Sequence, residues 1–328
     1  MSEAIDRTSR IYVAGHRGMV GSALVRKLHA EGYTRIITRP RSELDLTDQA
    51  AVRAFFDSER PDYVFLAAAR VGGILANDTY RADFIYQNLI IACNVIEAAF
   101  RADVERLLFL GSSCIYPREC PQPIREEYLL TGPFEPTNEP YAIAKIAGLK
   151  LCESFNRQYG TRYVSVMPTN LYGPNDNFDL AASHVLPALL RKAHTAKLDR
   201  SPVLAVWGSG RPRREFLHVD DLAAACVMLM TKDVGEGVYN VGTGTDVTIA
   251  ELANCIKDVV GLDGELAFDA GKPDGTPRKL LDIARIRALG WKPRFDLEAG
   301  IRDTYRWCLD NAVFERAANE HRTQAEVR

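Results

Sequence analysis

Three stretches of this sequence carry residue types at spacings that chemistry can use. Tyr141-Ala142-Ile143-Ala144-Lys145 sets a phenol and an ammonium at an i, i+4 interval, which in a helix puts both on one face within a turn. A tyrosine hydroxyl titrates near about 10, too high for easy proton exchange at neutrality, and a cation such as Lys145 beside it favours the phenolate. Taken alone, the spacing suits an ordinary amphipathic face equally well. Upstream, Leu110-Gly111-Ser112-Ser113-Cys114-Ile115-Tyr116-Pro117 closes an apolar run and offers two hydroxyls and a thiol where a strand would end. Near the start, Gly15-His16-Arg17-Gly18-Met19-Val20-Gly21 leads from an apolar run straight into a helical pattern. Glycines there let the backbone turn tightly and approach a pyrophosphate, and the free N–H groups opening the next helix favour an anion. The spacing is G-x-x-G-x-x-G, not the commoner G-x-G-x-x-G, so a glycine turn without a ligand is the competing reading.

An acidic residue about twenty positions beyond such a loop would hold the ribose 2′-hydroxyl of NAD. Here the second apolar run ends instead in Thr38-Arg39-Pro40-Arg41-Ser42, and with Arg17 these guanidinium groups suit a 2′-phosphate, which favours NADP. A solvated arginine surface is the alternative.

These groups need a frame to position them. Apolar, β-branched runs at Ile11–Ala14, Arg35–Thr38, Tyr63–Ala67, Leu107–Leu110 and Tyr163–Val166 read as strands. Helical patterns lie between them at Val20–Glu31, Gln49–Ser58, Tyr80–Phe100 and Tyr141–Tyr159. Strand and helix in that rhythm imply an α/β, Rossmann-type, doubly wound parallel sheet with its ligand at the carboxyl ends of the strands. After Leu171 the rhythm loosens into a smaller C-terminal substrate-binding lobe. The expected division is an NADP-binding domain at 1–170, to which 217–242 returns through a helix at Val219–Met230 and a strand at Val238–Val241. The substrate lobe is then 171–216 with 243–328.

Composition narrows the function classes. With 328 residues, 47% hydrophobic and 26% charged, the chain can build a large core, and a net charge of -2 gives no one-sided basic face for nucleic acid. No apolar segment is long enough for a membrane span or signal peptide, so the expected setting is cytoplasmic. The seven cysteines lie apart with no Cys-x-x-Cys pair, which predicts mostly buried thiols, no disulfide framework and no metal site. The charged tail from Glu315 to Arg328 reads as a frayed helix end.

Glycine loop, Ser112 and the Tyr141/Lys145 pair occur in one order, and together with Asp45 they resemble the extended short-chain dehydrogenase/reductase family over nearly the whole chain. The resemblance implies that Ser112 orients a sugar carbonyl, with Ser113 its adjacent rival. It implies too that Tyr141 delivers a proton and that Lys145 binds the ribose and tunes the phenol. It places cofactor contacts at Gly15, His16, Arg17, Gly18, Met19, Val20, Gly21, Arg41, Asp45, Leu46, Leu110, Gly111, Ser112, Ser113, Lys145, Pro168, Thr169, Asn170, Leu171 and His184.

Longer blocks are similar to the branch of that family that works on GDP-linked 4-keto-6-deoxy hexoses: GHRGMVGSA (15–23), LAAARVGGI (66–74), FIYQN (84–88), LGSSCIYP (110–117), EPTNEPYAIAK (135–145) and SVMPTNLYGPNDNF (165–178). The implied substrate is GDP-4-keto-6-deoxy-D-mannose, epimerised at C3 and C5 and then reduced at C4 by NADPH to GDP-L-fucose. A C4 ketone acidifies its neighbouring C–H bonds, so inversion needs one group to remove a proton and another to return one to the opposite face. By the resemblance these are Cys114 as base and His184 as acid, a thiol being a usable base once a cation lowers its pKa. Lys192, Trp207, Arg214, Asp274 and Lys279 match substrate-binding positions, whereas Arg211 and Arg213 have no clear family role. A homodimer through the helices at 80–100 and 141–159 is implied. A 4-epimerase or 4,6-dehydratase shares the loop and the Tyr/Lys pair, but the dehydratase would carry acidic residues where this chain has Cys114 and Ile115. A regulator that senses NADPH without turnover would need only the glycine loop.

Overall fold

Every apolar run read as a strand forms one in the computed structural model, which describes residues 5–180, 182–232, 234, 236–272 and 274–315. They are β1 (Arg10–Ala14), β2 (Arg35–Ile37), β3 (Tyr63–Leu66), β4 (Arg106–Leu110) and β5 (Tyr163–Pro168). A sixth, β6 (Gly237–Val241), returns from the far part of the chain to pair with β5. All six are parallel in the order β6-β5-β4-β3-β1-β2. Every residue of β3, β4 and β5 is buried, as expected of parallel strands covered on both faces.

Local chemistry sets the helix ends. Among the helices α1 (Met19–Ala30), α2 (Gln49–Glu59), α3 (Arg81–Arg101), α4 (Glu139–Tyr159), α5 (Val185–Leu198), α6 (Val219–Thr231), α7 (Ile249–Val260) and α8 (Leu297–Asp310), α2 starts where the Asp48 carboxylate accepts from the N–H groups of Ala50 and Ala51. Helix α7 opens with a reciprocal Thr248/Glu251 capping box. Helix α4 stops at Gly160, whose φ of 71° an L side chain rarely adopts. Helices α3 and α4 lie against each other on one face of the sheet, and α1 against α6.

Two apolar clusters form. The larger joins the sheet to its covering helices and includes Val13, Phe65, Leu108 and Val166, together with Leu281, Ile286 and Trp291 from late in the chain. The smaller joins α5, α7 and α8 through Leu186, Leu190, Leu252, Ile256 and Ile301, with Leu204 and Val206 from the strand Val203–Trp207. That strand pairs with Glu265–Asp269. A three-stranded sheet sets Arg213–Arg214 between Val247–Thr248 and Arg278–Lys279.

One expectation needs correction. All seven cysteines are free, but only Cys152, Cys226 and Cys308 are buried; Cys114, Cys120 and Cys255 are half-buried and Cys93 is exposed. Among the described residues no helix is long and apolar enough to cross a membrane, and no cluster of three His, Cys, Asp or Glu side chains is arranged to hold a metal ion. The tail from residue 316 onward lies outside the described residues.

Candidate functional site

From β1 the chain turns to β2 on one side of the sheet and then crosses to β3 on the other, so a crevice opens beyond the carboxyl ends of β1 and β3. The glycine loop fills it. Gly15 has φ 84°, and a Cβ there would lie 2.8 Å from the backbone of Ala68 beyond β3. Its carbonyl accepts from the Gly18 N–H at 3.0 Å. A Cβ on Gly21 would lie only 2.1 Å from the Gly15 oxygen. No side chain caps α1 at Gly18 and its first turn holds no acid, so the helix opens with N–H groups free for an anion. Loop and helix therefore fit a dinucleotide pyrophosphate. Gly21→Ala must push backbone apart at about 1–3 kcal/mol, and we expect it to weaken NADPH binding by about tenfold or more, read by fluorescence titration. Unchanged affinity would dissociate the loop from the cofactor.

At the adenosine end the arginines divide. Arg39 is held by Glu59 at 2.5 Å and lies over the Phe55 ring, so it is already engaged. Arg41 is exposed and meets Asp45 at 3.3 Å, and Arg17 is exposed in the loop. Asp45 accepts from the backbone N–H and hydroxyl of Thr47, and these bonds, with Arg41, hold its pKa below the usual carboxylate value. Leu46 is buried, its carbonyl accepting from Asn94.

The candidate reactive groups Ser112, Lys145 and Tyr141 lie near the carboxyl end of β4. Ser112, extended at the end of β4, accepts from the Cys114 N–H at 3.3 Å through Oγ and is reached by solvent, whereas Ser113 is 4% exposed. The geometry thus favours Ser112 of the two. Gly111 lies tight against Val166 and Met167 of β5. Helix α4 brings Lys145 inward, its ammonium donating to the Leu110 carbonyl at 2.7 Å and lying 5.7 Å from the centre of the Tyr141 ring. Tyr141 stands edge-on to Phe84 of α3. Pro168 ends β5. Thr169 and Asn170 follow it, both donating side-chain hydrogen bonds to the Glu215 carbonyl, and Leu171 lies in the strand Asn170–Tyr172, parallel to Phe216–His218.

His184 precedes α5, and Ser183 before it is tied back by the Asp179 carbonyl. The Gly73 N–H donates to the Ala182 carbonyl, which fixes this turn against the loop after β3. Cys114, Tyr141 and Lys279 are half-buried and His184 is exposed, and for all four burial is the first influence on the pKa.

Electrostatics tie these groups together. Burial pushes the Cys114 thiol up, and Lys279, a bond with Ser112 and Lys145 pull it down. Burial raises Tyr141, and the Cys114 charge adds to that. Burial and then Lys279 lower His184. The thiol is thus coupled to the phenol and to Lys279, and the imidazole to Lys279. The expectation is that Lys145, helped by an oxidised nicotinamide, lowers the Tyr141 phenol; from the protein's own groups burial dominates, so the phenol stands raised and Lys145 itself is pulled down to about 8.

Farther out, the ammonium of Lys192 lies 4.7 Å and that of Lys272 5.3 Å from the centre of the Trp207 ring, which is 58% exposed. Asp274 accepts from the N–H and hydroxyl of Ser209. Arg214 donates to the carbonyls of Arg213 and Thr276 and feels Asp274. Arg213, which had no assigned role, is paired with Asp246 at 2.8 Å. Sequence reasoning missed Glu215. It is 0% exposed, and its carboxylate accepts from the N–H groups of Gly244 and Leu281, locking the Lys279 segment to the site. The one available signal was an acid wedged between arginines and an apolar strand.

A model of the NAD dependent epimerase/dehydratase family matches residues 11–242. The chain is 58% identical over 313 residues to the GDP-L-fucose synthase of Escherichia coli (strain K12), covering 92% of this chain and 97% of that protein. It is 56% identical over 311 residues to GDP-L-fucose synthase 1 of Arabidopsis thaliana, covering 95% and 96% respectively. Among solved structures it is similar to a GDP-L-fucose synthetase from Naegleria fowleri bound to NADP, with a TM-score of 0.89, 29% identity and coverage of 95% and 96%.

Proposed function

We infer that this chain, which belongs to the NAD dependent epimerase/dehydratase family, epimerises GDP-4-keto-6-deoxy-D-mannose at C3 and C5 and reduces it at C4 with NADPH, giving GDP-L-fucose. The observation that supports the reading is the linked electrostatics of these groups, Cys114 with Tyr141 and both Cys114 and His184 with Lys279. A reductase alone needs the phenol; the extra thiol and imidazole suit proton removal and return beside the same carbonyl.

Gly15 to Gly21 and the start of α1 would hold the pyrophosphate of NADPH, with Arg17 and Arg41 at the 2′-phosphate and Lys145 at the nicotinamide ribose. When bound, the cofactor supplies the reducing hydride for C4. The remaining steps fall to the chain's own groups. Cys114 takes a proton from the carbon beside the ketone and His184 gives one to the opposite face, each inversion leaving the pair with one proton fewer on His184 and one more on Cys114, to be reset through solvent. Ser112, whose Oγ accepts from the Cys114 N–H and whose hydroxyl also bonds the thiol, would turn its O–H to the carbonyl oxygen when the sugar is bound. Tyr141 stays protonated at neutrality because burial raises it, so it holds a proton for the C4 oxygen. Lys192, Trp207, Arg214, Asp274 and Lys279 take the GDP portion, the indole offering a face for the base and the cations a clamp for the diphosphate.

On this reading NADP belongs to residues 1–170 with 217–242, and the sugar nucleotide to 171–216 with 243–328. The exposed Tyr86 of α3 and Ile143 of α4 suit a homodimer formed through these helices, and seven free thiols suit the reducing cytoplasm. The test is to mix the protein with NADPH and GDP-4-keto-6-deoxy-D-mannose and follow the loss of reduced nicotinamide. No oxidation would reject the reductase assignment.

A further inference from the structure

The indole of Trp207 is an open ring that two cations approach. Trp207 ends the strand Val203–Trp207, in which Leu204 and Val206 are buried and the residues between them face outward, so the indole is left 58% exposed. The ammonium of Lys192 lies 4.7 Å and that of Lys272 5.3 Å from its centre, and among the described residues neither forms an ion pair with a carboxylate. Offset-stacked rings stand about 4.5–7 Å apart, centre to centre. Both ammoniums therefore lie at the distance a base takes up when it stacks on this indole. A stacking base moves such a head group aside to its own edge, and the flexible stem of a lysine lets the head follow.

The two lysines come from different parts of the lobe. Lys192 lies in α5, eight residues beyond His184 and so about 12 Å along the helix from it, a reach that suits the diphosphate between sugar and nucleoside. Lys272 belongs to a turn built on the Trp207 strand itself. Asp269 stands opposite Trp207 in the parallel pair. Its carbonyl accepts from the Gly208 N–H at 2.9 Å and from the Lys272 N–H at 3.1 Å, and its carboxylate takes the Gly271 N–H at 3.0 Å. Beyond Lys272, Asp274 takes the Ser209 N–H and hydroxyl at 2.8 and 2.6 Å. One carbonyl thus holds the residue after the indole and the backbone of Lys272 together, and a base on the indole has the Lys272 ammonium at its edge.

We propose that Lys272 selects guanine, its ammonium donating to O6 and N7 of a base stacked on Trp207. This rests on the reading of the chain as acting on a GDP-linked sugar, and it assigns the choice of base to one residue. Guanine presents two acceptors side by side on that edge, whereas adenine has an amino donor in place of O6. An ammonium carries donors only, so it matches the first edge and meets a donor on the second. Stacking itself does not discriminate, because every base has a π-face. The preference has to come from the edge.

The experiment titrates the full chain and its Lys272→Met, Lys272→Arg and Trp207→Ala variants with GDP, inosine diphosphate and ADP by calorimetry. Inosine diphosphate keeps O6 and N7 and lacks only the 2-amino group of guanine. Lys272 is exposed, so its replacement leaves the fold in place. The unaltered chain should bind GDP and inosine diphosphate about tenfold or more tighter than ADP. Lys272→Met should weaken both by about tenfold and leave ADP where it was, and Lys272→Arg, whose fork fits the same two acceptors, should restore the preference. Trp207→Ala should weaken all three alike. If Lys272→Met weakened all three together, Lys272 would be a phosphate contact, and if it moved none, Lys272 would not touch the ligand; either result overturns the proposal, as do affinities that Trp207→Ala leaves unmoved. An unaltered chain that does not bind GDP rejects the GDP-sugar reading itself, and the selection of guanine with it.

Discussion

Cys114→Ser should leave NADPH binding and the melting temperature close to those of the unaltered chain and cut C3 and C5 deuterium exchange by about 10²–10⁴-fold, the range a positioned acid or base contributes. The substitution exchanges one atom in a half-buried side chain whose backbone N–H is already held by Ser112, so the turn has no reason to move. What changes is the proton affinity. Burial holds the thiol above its ordinary value, and Lys279, Ser112 and Lys145 bring it back toward usable range. A serine hydroxyl in the same surroundings starts so much higher that those influences cannot make it a base at neutral pH. Exchange is followed by NMR in deuterated buffer without NADPH, which keeps the reduction silent. An unchanged exchange rate would clear Cys114 of the role.

How far the sequence reveals this site depends on the range of the forces involved. The α1 pattern is expected at Val20–Glu31 and found at Met19–Ala30, because glycine turns, apolar periodicity and capping residues act over a few positions. The glycine loop is legible for the same reason: one short segment supplies the close approach to β3 and the open helix end. Lys279 is legible only by resemblance. The place of its segment comes from bonds such as Leu280 to Gln122, which link residues 158 apart, and no local pattern encodes them. The proton affinity of Tyr141 escapes for a related reason. The i, i+4 spacing to Lys145 is real, but the desolvation that outweighs it comes from surroundings such as Phe84 on another helix, and Lys145 itself is turned to the Leu110 carbonyl.

That reversal sharpens what Tyr141→Phe should do. Phenylalanine keeps the ring against Phe84 and removes only the hydroxyl, so the fold and the cofactor crevice should persist. If Lys145 lowered the phenol into the neutral range, the reductive step, which needs the protonated hydroxyl, would fall away as pH rose through its pKa. With the phenol raised instead, Tyr141 carries its proton throughout the neutral range, and C4 reduction should be level from about pH 6 to 8 as far as this group is concerned. Loss of the hydroxyl leaves the C4 oxygen without its donor while Ser112 still offers a hydrogen bond to the carbonyl. NADPH oxidation should therefore fall by about 10²–10⁴-fold, and deuterium exchange at C3 and C5 should continue because Cys114 and His184 are untouched. Exchange that vanished together with oxidation would mean that the phenol also stabilises the enolate, and the division of labour between Tyr141 and the Cys114/His184 pair would have to be abandoned.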